Sequence, residues 1–172
     1  MECCMCDLSA WLSCNDSRDI ARAAIWLRHI VNGIAYFHDS GIIHRDLKPS
    51  NIRIDKNGRV KICDFGIITI IENSDTEDIT RTPLYMAPEL ISLYNSKVDI
   101  FSIGLIFIEL CALMNNELRR AVFDDIRKGK NEMLYALFEN QQKVAHFVKW
   151  LTSANPAERP TAQQILDHDF LS

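Results

Sequence analysis

Residues 42–51 read IIHRDLKPSN, and residues 61–66 read KICDFG. Two aspartates (Asp46 and Asp64), a lysine (Lys48) and an asparagine (Asn51) fall inside these two stretches. The residues between them fix how they meet. Residues 52–55 and 59–63 are short strand-like runs on either side of Lys56-Asn57-Gly58, a tight-turn sequence, so they predict a β-hairpin. The hairpin places Asn51 just before its first strand and Asp64 just after its second, so that both face one cleft. Carboxylate and amide oxygens suit a hard divalent cation, and an ammonium beside them suits a phosphate.

The chain on either side is mostly helical by pattern. A short helix is expected over residues 7–12. Asn15-Asp16-Ser17 then offers an N-cap to a long helix whose apolar residues Ile20, Ala23, Ala24, Leu27, Ile30, Val31, Ile34 and Phe37 recur at helical spacing. Gly41 stops it. Residues 67–86 carry an acidic, polar middle without periodicity. Residues 96–113 are apolar on nearly every face, which predicts a helix buried on all sides. There Ser96 and Asp99 have the spacing of a capping box. Residues 117–128 form a helix bearing Arg119, Arg120, Arg127 and Lys128. Residues 141–152 form another, ended by Asn155-Pro156. Thr161 and Gln164 make a capping box for the last, with Ile165 and Phe170 facing inward.

The composition is that of an ordinary globular domain. The 172 residues are 48% hydrophobic and 24% charged, with a net charge of −4 that gives no ground for bulk binding of nucleic acid or anionic membrane. No signal peptide is legible over residues 1–12. The greasiest run, residues 100–113, is interrupted by Glu109 and is too short to span a bilayer. Cys3, Cys4, Cys6 and Cys14 cluster, but without a nearby histidine or a second CxxC they do not fit a four-ligand zinc site. Reduced thiols in the cytoplasm are the expectation.

HRDLxxxN (residues 44–51), DFG (residues 64–66) and APE (residues 87–89) stand in order, and together they are a specific signature. The sequence resembles a eukaryotic protein kinase over essentially its whole length. The resemblance implies a mainly α fold: the large, C-terminal lobe of a kinase with a short β-hairpin at the catalytic cleft. Residues 1–172 would be a partial kinase domain comprising the hinge and that lobe, with the activation segment at 64–89. No Gly-rich phosphate loop, VAIK-type lysine or partner glutamate precedes Met1, so the small N-terminal lobe is expected to be absent.

The resemblance also implies roles. Asp46 would accept the proton of a substrate hydroxyl, and Lys48 would meet charge on the transferred phosphoryl group. Asn51 and Asp64 would hold Mg2+. The backbone of Glu2 and Cys4 would meet the adenine of ATP, although these residues read equally well as a frayed terminus. Arg53 lies where the family has an apolar residue beneath that ring. Arg45 would receive a phosphothreonine, with Thr76, Thr80 and Thr82 as candidates and Thr82 better assigned to substrate binding. His44 and Phe65 would pack beneath the cleft. Asp99 would hold the His44-Arg45 backbone, a role that its capping-box spacing does not exclude, and Glu89 would pair with Arg159. Lys48 in HRDLK is the serine/threonine form.

Several stretches resemble the kinases of the alpha subunit of translation initiation factor 2: MECC with LSAWL, then DFGIIT, LYMAPELI, YNSKVDIFSIGLIFIEL and NPAERPTAQQIL. That resemblance implies a stress-responsive protein acting on the initiation factor 2 alpha subunit, with a kinase dimer partner. The basic helix near Arg119 would be either a docking site for that substrate or a solvated face. Arg53, and Arg81 in place of a usual glycine, depart from the family. They motivate a rival reading, a catalytically silent lobe that binds an intact kinase or its substrate.

Overall fold

Strand β1 (Cys4–Asp7) ends where Asp7 caps helix α1 (Leu8–Cys14), its carboxylate accepting the Ala10 amide at 2.7 Å. Helix α2 (Ile20–Asp39) follows, and its start differs from the sequence expectation. The cap is Asp19, which accepts from the Ala21 amide, and not the Asn15-Asp16-Ser17 triplet. Arg18 supplies the reason. Its guanidinium donates to the carbonyls of Leu12, Asn15 and Glu109, which holds residues 15–18 out of the helix. Asn15 instead closes α1 by donating to the Trp11 carbonyl at 2.8 Å.

This computed structural model describes residues 4–63, 69–70, 84–89 and 95–171, with side chains described over 6–63, 84–89 and 95–171. Glu2, Asp64, Phe65, Thr76, Thr80, Arg81, Thr82 and the side chain of Cys4 lie outside that set.

Gly41, at φ +71°, turns the chain out of α2 into strand β2 (Ile42–Ile43). After the loop at 44–48 and a 3-10 turn at Pro49–Asn51 comes the hairpin of β3 (Ile52–Asp55) and β4 (Val60–Ile62). Gly58 has φ +74°, and the Asp55 carboxylate accepts the amides of Asn57 and Arg59. The sheet order is β1-β3-β4, all antiparallel, with Asp7 opposite Arg53 and Arg53 opposite Lys61. A second, two-stranded pairing joins β2 to β5 (Thr69–Ile70). The sequence pattern gave no sign of it, because two residues carry no periodicity.

Helix α3 (Lys97–Cys111) is the centre of the core: every residue from Val98 to Cys111 is buried. α2 packs against it, and α2 also covers the hairpin, where the Trp26 indole donates to the Gly58 carbonyl. Helices α4 (Asn116–Arg127), α5 (Glu132–Leu137), α6 (Gln142–Leu151) and α7 (Ala162–Leu166) complete the bundle. α5 was not expected. Gly129, at φ +70°, ends α4, and the Asp125 carboxylate takes the Met133 amide to start the short helix. The Thr161–Gln164 capping box of α7 is formed in both directions. Among the described residues no helix is long and apolar enough to cross a membrane. Cys6, Cys14 and Cys111 are free thiols.

Candidate active site

The loop between β2 and the hairpin is held from below by one buried carboxylate. Asp99, in the first turn of α3, is fully buried. It accepts the His44 amide through Oδ2 at 2.9 Å and the Arg45 amide through Oδ1 at 2.8 Å. His38, at the end of α2, places Nε2 2.9 Å from the same Oδ2. Ser96 makes no side-chain capping bond, so the capping-box reading of Asp99 does not hold. The carboxylate is committed to the loop and not to its own helix. Arg45 sits at φ +66°, a left-handed conformation that L side chains rarely adopt. The twin bonds from Asp99 to consecutive amides fix the chain in this turn.

The turn presents Asp46 and Lys48 on one side while Leu47, between them, is buried. Lys48 Nζ lies 2.6 Å from Asp46 Oδ2. Asn51 reaches back from the 3-10 turn: its Nδ2 donates to the Asp46 carbonyl at 2.8 Å and to Asp46 Oδ2 at 3.2 Å. The Lys48 and Asp46 side chains are 39% and 30% exposed. An ion pair that open contributes only about 0–1 kcal/mol to folding, so stability does not require it.

Both nitrogen bonds of Asn51 leave Oδ1 outside the contact with Asp46, and this oxygen is the donor type that Mg2+ accepts. The Cys63 amide donates to the Asn51 carbonyl at 2.8 Å, so the chain reaches its sixty-third residue directly beside Asn51. Arg53 is exposed on β3 with its guanidinium 3.9 Å from the Asp7 carboxylate across the β1-β3 pairing.

The APE stretch is anchored near the start of α3. Glu89 and Arg159 form a two-pronged ion pair, with Nη2 2.9 Å from Oε2 and Nη1 donating to Oε1. Arg159 is almost wholly buried, donates further to the carbonyls of Ser153 and Lys97, and lies 4.7 Å from the Phe101 ring centroid. Its donors are thus matched inside the core. Lys97 donates to the Arg159 carbonyl, and burial, followed by the adjacent guanidinium, pulls its pKa down.

The basic helix is a solvated face only in part: Arg120 and Lys128 are exposed, while Arg119 and Arg127 are engaged by neighbouring groups. Arg119 bonds Glu109 at 2.7 Å, and Arg127 turns inward to the carbonyls of Leu84 and Met86. Burial lowers the Arg119 pKa, but the bond and charge of Glu109 outweigh it, so the net shift is upward. Glu109 also takes the Tyr85 hydroxyl at 2.5 Å, and burial together with that carboxylate pushes the phenol well above its ordinary range. In the sequence Glu109 stands out only as a break in an apolar run. A lone carboxylate in an otherwise apolar helix is itself the signal, because burial requires partners for it.

The protein kinase domain family matches residues 1–171. The chain is 34% identical over 157 residues to mitogen-activated protein kinase kinase kinase 1 of Arabidopsis thaliana, covering 86% of this chain and 25% of that protein. It is 34% identical over 182 aligned residues to eIF-2-alpha kinase GCN2 of Homo sapiens, covering 90% of this chain and 11% of that protein. It is 36% identical over 166 residues to the interferon-induced, double-stranded RNA-activated protein kinase of Mus musculus, covering 92% of this chain and 32% of that protein. The chain therefore spans a third or less of the length of these relatives. A signature in three ordered parts, a loop after β2 held by Asp99 and a match over nearly every residue converge: this chain belongs to the protein kinase domain family.

Proposed function

We propose that this chain is the hinge and large lobe of a serine/threonine protein kinase, with residues 64–89 as its activation segment, and that it transfers the terminal phosphoryl group of ATP to a protein hydroxyl. The observation that carries the reading is the convergence of Asp46, Lys48 and Asn51 within hydrogen-bonding distance on an open loop. In the transfer the substrate oxygen attacks the γ-phosphorus, its proton passes to Asp46, and the bond to the bridging oxygen breaks to release ADP. Lys48 stays beside Asp46, where its ammonium meets the charge on the moving phosphoryl group. Asn51, with Asp64, would hold Mg2+, which when bound would neutralise phosphate charge. Glu2 and Cys4 meet the adenine, with Arg53 on the strand below. Arg45 receives a phosphate placed on Thr76 or Thr80, and Thr82 serves substrate binding. His44 and Phe65 pack beneath the cleft.

The substrate we assign is the initiation factor 2 alpha subunit, in the cytoplasm, with a second kinase chain as partner. Support comes from the subfamily-like stretches and from the relative named an eIF-2-alpha kinase. The test is transfer of labelled phosphate to that subunit by the protein that carries this chain, with Asp46→Asn as control, alongside its thermal unfolding in Mg2+-ATP. We expect transfer that the control abolishes. We also expect a shift worth about 2.7 kcal/mol at a hundredfold excess over Kd. Absence of both transfer and shift would overturn the reading in favour of a silent binding lobe.

A further inference from the structure

Residues 84–86 have no regular secondary structure, yet each of their three carbonyls takes a side-chain donor from a helix. Arg127 of α4 donates through Nη2 to the Leu84 carbonyl and through Nε to the Met86 carbonyl, the latter at 3.2 Å. Ser102 of α3 donates to the Tyr85 carbonyl at 2.8 Å. The Tyr85 hydroxyl is held by Glu109, and Arg119 of α4 secures the other oxygen of that carboxylate. A rigid guanidinium fork is the one basic side chain that can bridge two carbonyls two residues apart at fixed angles. The Arg127 side chain is 13% exposed, and burial lowers its pKa, so its bonds to the carbonyls are made away from solvent. On its other face the segment meets the reactive loop: Tyr85 and Met86 line a small cleft with Arg45, Asp46 and Lys48.

We propose that Arg127 and Arg119 are positioning residues: from α4 they clamp residues 84–86 in register with Asp46 and Lys48, and so set where the protein substrate's hydroxyl-bearing strand lies. The clamp rests on the kinase reading for its consequence in transfer, but not for its effect on the segment. Neither arginine touches nucleotide or reacting atoms. The expected signature is therefore a change on the protein-substrate side alone. It also follows that α4 is mechanically joined to the reactive loop, so that whatever loads α4 is felt at residues 84–86.

Two measurements on the full chain test this. Arg127→Gln, Arg127→Lys and Arg119→Gln are compared with the parent and with Arg120→Gln, which lies exposed on the same helix. The first measurement is hydrogen exchange resolved to the peptide spanning residues 84–89. The second is steady-state phosphate transfer to the initiation factor 2 alpha subunit, with KM taken separately for protein and for ATP. We expect faster exchange confined to residues 84–89 in the Arg127 and Arg119 variants, with lysine failing to rescue Arg127, and no change in Arg120→Gln. We expect the protein KM to rise roughly tenfold, as for the loss of a charged hydrogen bond, with the ATP KM unchanged. Unchanged exchange overturns the clamp, and so does faster exchange spread equally through α2 and α3. Local loosening with both KM values unchanged overturns the positioning role. A parent that transfers no phosphate counts against the functional reading, while the exchange measurement still decides the clamp.

Discussion

Arg159 and Glu89, seventy residues apart, close a two-pronged ion pair in which the guanidinium is almost wholly buried. Burying two charges is favourable only when each keeps its partners, and deleting one leaves the other stranded. Glu89→Ala is expected to cost about 3–5 kcal/mol. In a chain of this size that is a fall in Tm on the order of 10 °C. Arg159→Lys should do nearly as much harm, because an ammonium cannot reach both carboxylate oxygens and the carbonyls of Ser153 and Lys97 at once. Calorimetric unfolding of the two variants checks this; a loss under about 1 kcal/mol in both would show that the pair contributes little.

Asp99 offsets the strain at Arg45. A non-glycine residue held at positive φ costs about 1–3 kcal/mol, and the Asp99 bonds to the His44 and Arg45 amides are what keep it there. Asp99→Asn keeps the shape but leaves only one acceptor oxygen, and it turns an NH2 group toward donors. The expected loss is roughly 3 kcal/mol of stability. Phosphate transfer should fall with it, since Asp46 and Lys48 hang from the same turn. Denaturant unfolding and a transfer assay on one preparation check both, and a variant with parental Cm and parental rate would remove Asp99 from this role.

How far the sequence could be read depends on the range of each interaction. Asp46, Lys48 and Asn51 are neighbours in the chain, so motif spacing alone places them together. The hairpin was legible because Lys56-Asn57-Gly58 and the flanking β-branched residues act locally. The start of α2 was misplaced because Arg18 reaches across to Glu109, an interaction ninety-one residues long that no cap pattern encodes. Arg119 and Arg127 looked like a basic surface because helical periodicity says which side is apolar, and not which long side chains fold back beneath a neighbouring segment. The pairing of β2 with β5 is set by where the chain returns in space. Asp64, Phe65 and the threonines at 76, 80 and 82 fall outside the described residues, so their expected roles rest on the sequence.

At Gly104, α3 comes close to the C-terminal end of α6. A Cβ there would stand 2.5 Å from Thr152 Cγ2 and 3.1 Å from Leu151 Cβ. Gly→Ala in a helix normally gains about 1 kcal/mol in propensity. Overpacking of this kind costs about 1–3 kcal/mol, so Gly104→Ala is expected to be mildly destabilising on balance. Thr152→Ser removes the offending methyl and keeps the hydroxyl bond to the Val148 carbonyl. The double variant should therefore recover the loss. A double-mutant cycle reads this coupling directly, and additive effects would show that the helices separate without cost.

Asp55 gives the hairpin an acid-sensitive turn. The Arg59 amide bond holds its carboxyl below the usual range; burial opposes this, and the Asn57 amide adds to it. A pKa depressed in the folded state contributes stability that is present above the unfolded value. That stability is lost as pH falls through the folded value. Asp55→Asn should therefore flatten the acid limb of the stability profile below about pH 4 while changing its slope little near neutrality. Parallel Tm profiles of parent and variant check this, and superimposable acid limbs would exclude a linked proton at this turn.

Asp46 and Lys48 separate chemistry from stability. Both are part-exposed, and their ion pair is worth about 0–1 kcal/mol to folding. Replacing either should leave Tm within a few degrees of the parent. Transfer is another matter. Asp46→Asn keeps an oxygen for Lys48 and the carbonyl for Asn51, but it removes the proposed base, and a positioned general base is worth about 10²–10⁴ in rate. Lys48→Met removes the cation proposed to meet the phosphoryl charge and leaves Asp46 Oδ2 with the Asn51 amide alone. Its loss should therefore appear in kcat and leave ATP binding, read by thermal shift, close to that of the parent. If either variant lost its fold instead, the loop would be structural. If Asp46→Asn turned over at the parental rate, the proton would have another acceptor and the assignment of this loop as the reactive one would fall.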